Sequence, residues 1–169
     1  MDVFEAIHGR RSIRKYTDKP VSDADVKKIL QAAMIAPSAG NQQPWQFVVV
    51  RDRDTLEKIK DVNPYAPMAD HAPLGILVCG DVSLEKHPGF WVQDCSAAVQ
   101  NLLLAVRGLG LGGVWTGIYP LEERVNGFRE LFGLPENVIP LAFVVIGHPA
   151  QESSVKDRYK EERVRWERW

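Results

Sequence analysis

The sequence predicts an α/β or α+β domain whose central sheet is covered by helices on both faces. Helix-type and strand-type periodicities alternate along the chain. Two continuous apolar runs, residues 74–79 and 139–147, read as strands buried on both sides. Residues 91–107 give the strongest helix signal, apolar over much of the circumference, as suits a helix in a core or along a subunit interface. The chain has 169 residues, which suits one domain (1–169) with a real core.

Each element has a local reason. Asp2 is placed to cap a short helix carrying Val3, Phe4 and Ile7 on one face, and Gly9 loosens the backbone behind it. Ser22 and Asp25 resemble a capping box with Asp in the usual Glu position. The helix they open carries Val26, Ile29, Leu30, Ala33 and Met34 on a helical period and stops before Pro37. Residues 47–50 form a strand between Pro44 and Asp52; a charged helix over 55–60 and a loop over 63–67 follow. Glycines in residues 108–113 end the long helix, 114–117 form a short strand, and 121–132 are helical despite Gly127. The last strand, 139–147, has Pro140 at its start. Residues 156–169 hold six basic and four acidic side chains with Tyr159, Trp166 and Trp169. A segment with no core of its own and two tryptophans is expected to dock, a second subunit being the natural surface.

Composition narrows the function. A net charge of −1 gives no global field for nucleic acid or an anionic membrane. No apolar run reaches membrane-spanning length and no secretory h-region opens the chain, so a cytoplasmic protein is expected. Cys79 and Cys95 form no disulfide framework or zinc spacing and are expected in the core. His8, His71, His87 and His148 share no metal-ligand spacing, and no nucleophile elbow appears. No catalytic side chain and no metal are predicted; an enzyme of this sequence would borrow its reactive group from a cofactor.

Two segments carry the chemistry. Arg10, Ser12 and Arg14 alternate, so an extended backbone sends all three to one side and Arg11 to the other. Two guanidinium forks and a hydroxyl on one face match a phosphate monoester; a solvated basic turn accounts for the same residues equally well. Residues 37–45 combine small residues, which admit close backbone approach, with Ser38, Asn41, Gln42 and Gln43. A helix-to-strand turn also favours Pro, Ser, Gly and Asn, but three amides after Gly40 exceed its needs. The glycine run at 108–113 is no dinucleotide fingerprint: it follows a helix and opens a strand, the reverse of the required order.

Taken together, the motifs resemble the flavin-dependent nitroreductase family. The resemblance rests on Arg10 to Arg14; on Pro37, Ser38, Asn41, Gln43, Pro44 and Trp45; on Asp94, Ala98, Gln100, Asn101 and the apolar run after them; on the glycine stretch entering a short strand; and on Ile146, Gly147, His148 and Pro149. It implies an α+β, three-layer α/β/α fold around a mixed, mainly antiparallel sheet, with the C-terminal tail exchanged across a homodimer. It implies FMN at the interface, reduced by NADH or NADPH, and an electron-poor small-molecule acceptor such as a nitroarene or quinone. By position, Arg10, Arg11 and Ser12 would hold the phosphate and ribityl end, and Arg14 would approach the N1/O2 edge and stabilise charge there. Pro37, Ser38, Ala39, Asn41 and Gln43 would reach the flavin from the partner subunit. Trp115, Thr116 and Gly117 would pass beside the ring, and Lys156 and Arg158 would complete the phosphate site. A flavin carrier or redox sensor that does not turn over is the other reading the residues allow. The chain lacks the helical insertion that lids the pocket of longer members, so the acceptor site is expected to be open.

Overall fold

The computed structural model describes residues 1–155 and 157–169. Four strands, β1 (Trp45–Val50), β2 (Leu74–Asp81), β3 (Gly112–Gly117) and β4 (Val138–Gly147), form one sheet in the order β1-β2-β4-β3. All three pairings are antiparallel. The parallel component comes from an isolated bridge between Ser12 and Gly113.

Among the described residues, five α-helices flank the sheet: α1 (Val3–Gly9), α2 (Asp23–Met34), α3 (Arg53–Val62), α4 (Trp91–Gly108) and α5 (Glu122–Phe132). The period of two sends Ile76, Val78, Val144 and Ile146 to one face, where α2 and α4 cover them with Ile29, Ala33, Val99 and Leu102. Leu77, Cys79, Phe143 and Val145 point to the other face, under Leu56, Ile59 and Phe128 of α3 and α5. The apolar runs are therefore buried on both sides because β2 and β4 are the two central strands; no parallel pairing is needed. This is a three-layer α/β/α arrangement.

Local chemistry sets the ends of the elements. Asp2 and Glu5 complete a capping box at α1, and Ser22 Oγ accepts from Asp25 N at 3.1 Å. Gly133, at φ 61°, closes α5 in the left-handed region. Pro140 lies inside β4 and not at its start, since the strand opens at Val138. It sits where the register slips between Val78 and Cys79, leaving Leu141 as the extra residue of a bulge. Helix α1 forms as expected but buries none of its residues; Val3, Phe4 and Ile7 are exposed. Tyr159, Trp166 and Trp169 of the tail are exposed as well.

Candidate cofactor-binding site

The N-terminal segment extends the sheet beyond β3. Ile13 N donates to Gly113 O at 3.1 Å, and Thr17 N to His148 O at 2.9 Å. Gln151 Oε1 accepts from both Arg14 N and Lys15 N, at 2.9 and 3.0 Å. The Tyr16 hydroxyl lies between the carbonyls of Ile13 and Val145, and its burial raises the phenol pKa well above the ordinary value. Gly112 makes the approach possible: a Cβ there would stand 2.7 Å from Ile13 Cβ. On this extended backbone Ile13 is buried while Ser12 and Arg14 are exposed, as alternation requires.

Arg10 is half-buried and meets the tail. A cleft of ≈ 230 Å³ is lined by Arg10, Arg11 and Arg158 together with Asp157 and Tyr159. Burial, then the charges of Arg11 and Arg158, push the Arg10 pKa below its ordinary value. Among the described residues none of these three arginines pairs with a carboxylate. Crowded guanidinium groups without a counter-anion are the donor set for a phosphate. Lys156, the other basic residue expected here, lies outside the described residues.

The loop at 37–45 is held from below. Gln42 is buried, unlike its neighbours. Its Nε2 donates to Asp94 Oδ2 at 2.6 Å, and its Oε1 accepts from Lys86 N at 2.8 Å and His87 N at 3.1 Å. Asp94 Oδ1 accepts from Ala39 N at 2.9 Å. Gln42 is therefore a latch for the loop, leaving Asn41 and Gln43 exposed. Those two hydrogen-bond to each other at 2.7 Å, and Ser38 Oγ accepts from Gln43 N at 3.0 Å. Gly40, Asn41 and Gln43 all have positive φ (53°, 54° and 48°), a strained run kept where the chain needs a particular shape. Pro37, Ser38 and Ala39 line a shallow cleft with Phe90 and Gln93. Within one chain, this cleft and the arginine cleft share no lining residue.

β3 is the edge strand beside the N-terminal segment. Thr116 is buried, with Oγ1 donating to Phe143 O at 2.7 Å. Because Gly113 O turns outward to Ile13, strand alternation turns the backbone of Trp115 and Gly117 outward too. Gly117 O accepts from Arg124 Nη1 at 2.9 Å and from buried Asn63 Nδ2 at 3.3 Å. Tyr16, Asn63, Arg124 and Gln151 shape the site but carry no sequence signal: Asn63 and Gln151 bond residues more than 50 positions away, as Tyr16 does with Val145, and Arg124 reaches back seven positions across the turn after β3. Asp94 belongs to a family-like motif, but its role as the anchor of the 37–45 loop shows only in the fold.

A cation-rich extended segment bridged to the edge strand β3, with Arg158 in the same cleft as Arg10 and Arg11, presents the kind of donors that a phosphorylated ligand needs. The comparisons make this specific. The chain matches the Nitroreductase family over residues 7–64 and 60–148, and it belongs to that family. It is 56% identical over 169 residues to a Methanothermobacter thermautotrophicus protein provisionally named NADH dehydrogenase/NAD(P)H nitroreductase, covering 100% of this chain and 88% of that one. It is 32% identical over 181 residues to the FMN reductase [NAD(P)H] of Bacillus subtilis, covering 96% of this chain and 72% of the relative. A crystal structure from Desulfovibrio desulfuricans, provisionally named a nitroreductase and solved in complex with FMN, superposes with TM-score 0.86 at 36% identity, covering 100% of this chain and 98% of that one.

Proposed function

We propose that this protein is an FMN-dependent oxidoreductase that takes hydride from NADH or NADPH and passes it to an electron-poor small molecule, a nitroarene or quinone. The carrying observation is the cluster of Arg10, Arg11 and Arg158 in one cleft, none of them in an ion pair with a carboxylate among the described residues; the outward backbone of Trp115 on the edge strand β3 adds to it. That donor set fits FMN. Arginine forks suit the phosphate, and outward backbone groups of β3 suit the polar edge of a flat ring, the Gly117 carbonyl excepted because Arg124 and Asn63 already donate to it.

FMN, when bound, supplies the hydride chemistry. Arg10, Arg11, Ser12 and Arg158, with Lys156, hold the phosphate and ribityl end. Arg14, on the exposed side of the segment, holds a fixed positive charge where negative charge develops on reduction. Trp115, Thr116 and Gly117 orient the ring along the sheet edge. Pro37, Ser38, Ala39, Asn41 and Gln43 act on the flavin of a second subunit; in their own chain Pro37, Ser38 and Ala39 line a cleft that shares no residue with the arginine cleft. The exposed apolar face of α1 and the exposed tail tryptophans supply surface for that homodimer. No described helix is long and apolar enough to cross a membrane, and we place the protein in the cytoplasm.

The test is direct. Purified protein should be yellow, release FMN on denaturation, sediment as a dimer, and lose its visible flavin absorbance anaerobically with NADH or NADPH. A colourless protein that refuses added FMN refutes the cofactor assignment. Bound flavin that neither nucleotide bleaches refutes the enzyme and leaves a carrier. A flavin-loaded monomer refutes the shared site.

A further inference from the structure

Three side chains converge on the far end of β3. Arg124 Nη1 and Asn63 Nδ2 both donate to Gly117 O. Asn63 is fully buried, and its Oδ1 accepts in turn from Tyr65 N at 3.2 Å. The loop at 63–67 and the first turn of α5 are thereby fixed to one strand end. The guanidinium of Arg124 lies over the Tyr65 ring, 4.9 Å from its centroid. Tyr65 is 71% exposed. Gly117 faces open space, since a Cβ there would meet nothing within 4 Å.

The contact leaves much of both side chains unused. Arg124 makes one hydrogen bond among the described residues, through Nη1. It forms no ion pair with a carboxylate among them. The positions three and four beyond it on α5 are Gly127 and Phe128, so no carboxylate neutralises it from the next turn. Stacking on Tyr65 fixes the plane of the fork in advance. A cation with spare donors against an exposed flat ring suits an aromatic carboxylate, the fork taking the carboxylate and the ring offering stacking surface.

We infer that Arg124 and Tyr65 are specificity-determining residues that select an aromatic acceptor carrying a carboxylate. The proposed function sets Trp115, Thr116 and Gly117 beside the flavin ring, and the selection rests on that reading: an anion on a guanidinium bonded to Gly117 is then beside the ring too. A compact acceptor can bring its charge there. A nicotinamide nucleotide carries its phosphates beyond the ribose, away from the ring that yields hydride.

The test uses the whole protein loaded with FMN. Benzoate and benzamide, alike in shape and unable to accept hydride, are titrated against the visible spectrum of the oxidised flavin and by calorimetry. Both should bind saturably, benzoate tighter by about 5-fold or more. Arg124→Met should bring that ratio to near unity. Tyr65→Ala, at an exposed position, should weaken both ligands and keep the ratio. In turnover, the kcat/KM ratio of para-nitrobenzoate to para-nitrobenzamide should fall by the same factor in Arg124→Met, through KM. A residue that only clamps the loop would lower Tm and leave both ratios at the parental value, which overturns the inference. A parent protein with no preference for benzoate overturns it, as does a Tyr65→Ala protein that binds both ligands like the parent. Should the Met variant fail to fold, an undiminished benzoate ratio in Arg124→Lys, which keeps the charge without the fork, does the same. Protein that takes up no FMN refutes the flavin reading, and the selection falls with it; yellow protein indifferent to the carboxylate refutes the selection alone.

Discussion

Replacing Asp94 by Ala tests the claim that a buried carboxylate holds the 37–45 loop. Asp94 is 4% exposed and accepts from Ala39 N at 2.9 Å and Gln42 Nε2 at 2.6 Å. Hydrogen bonds to a charged group are worth about 1.5–3 kcal/mol each, and buried donors left unpaired cost in that range. Losing both should remove roughly 3–5 kcal/mol, a large part of the 5–15 kcal/mol typical of a folded domain. For a chain of this size that is a Tm lower by about 6–20 °C. Gln42 would then lose its anchor while Lys86 N and His87 N still donate to its Oε1, so the loop should loosen at its Ala39 end. Asp94→Asn keeps one acceptor and should lose about half as much. The assays are urea and thermal unfolding, with FMN affinity measured by quenching of flavin fluorescence. A loss below about 1 kcal/mol with unchanged FMN affinity would refute the latch.

Other outcomes follow from single contacts. Arg10→Ala should weaken FMN binding by roughly 1.5–3 kcal/mol, the worth of a charge-assisted hydrogen bond, and leave riboflavin binding nearly unchanged; an equal loss for both ligands removes Arg10 from the phosphate. Gly75→Ala should cost about 1–3 kcal/mol by overpacking, because a Cβ there would stand 2.2 Å from Phe143 Cζ. That ring is held by Phe128 and Phe132, so it cannot swing aside; a variant of parental Tm contradicts this. Burial pushes the Cys79 thiol up from 9.0 to about 12. The fold favours the neutral thiol, so stability is fully present below pH 9.0 and falls as pH rises toward about 12. The urea midpoint should drop over that window by less in Cys79→Ala, and native protein should resist thiol reagents at about pH 8; rapid native labelling sinks the assignment.

Periodicity and caps revealed most of the elements because they are local. Asp2, Ser22 and the alternation in β2 and β4 each act within a few residues. Strand order was not legible, since a continuous apolar run reports burial on two faces whichever way its neighbours point. Pro140 looked like a strand start because the bulge that accommodates it depends on the register with β2. Of the site, Arg10 and Ser12 were visible as a spaced pattern. Gln42 was not separable from Asn41 and Gln43: three adjacent amides look alike until Asp94, on another element, buries one.

The placement of β4 between β2 and β3 also sets an order in time. While the chain emerges from the ribosome, β1 and β2 can pair at once, but β3 has no ladder partner until residues 138–147 appear. Arg158 is translated later still. Any cofactor that needs both the edge of β3 and that arginine can therefore load only after residue 158 has been made, and cannot template the pairing of β1 with β2 before it.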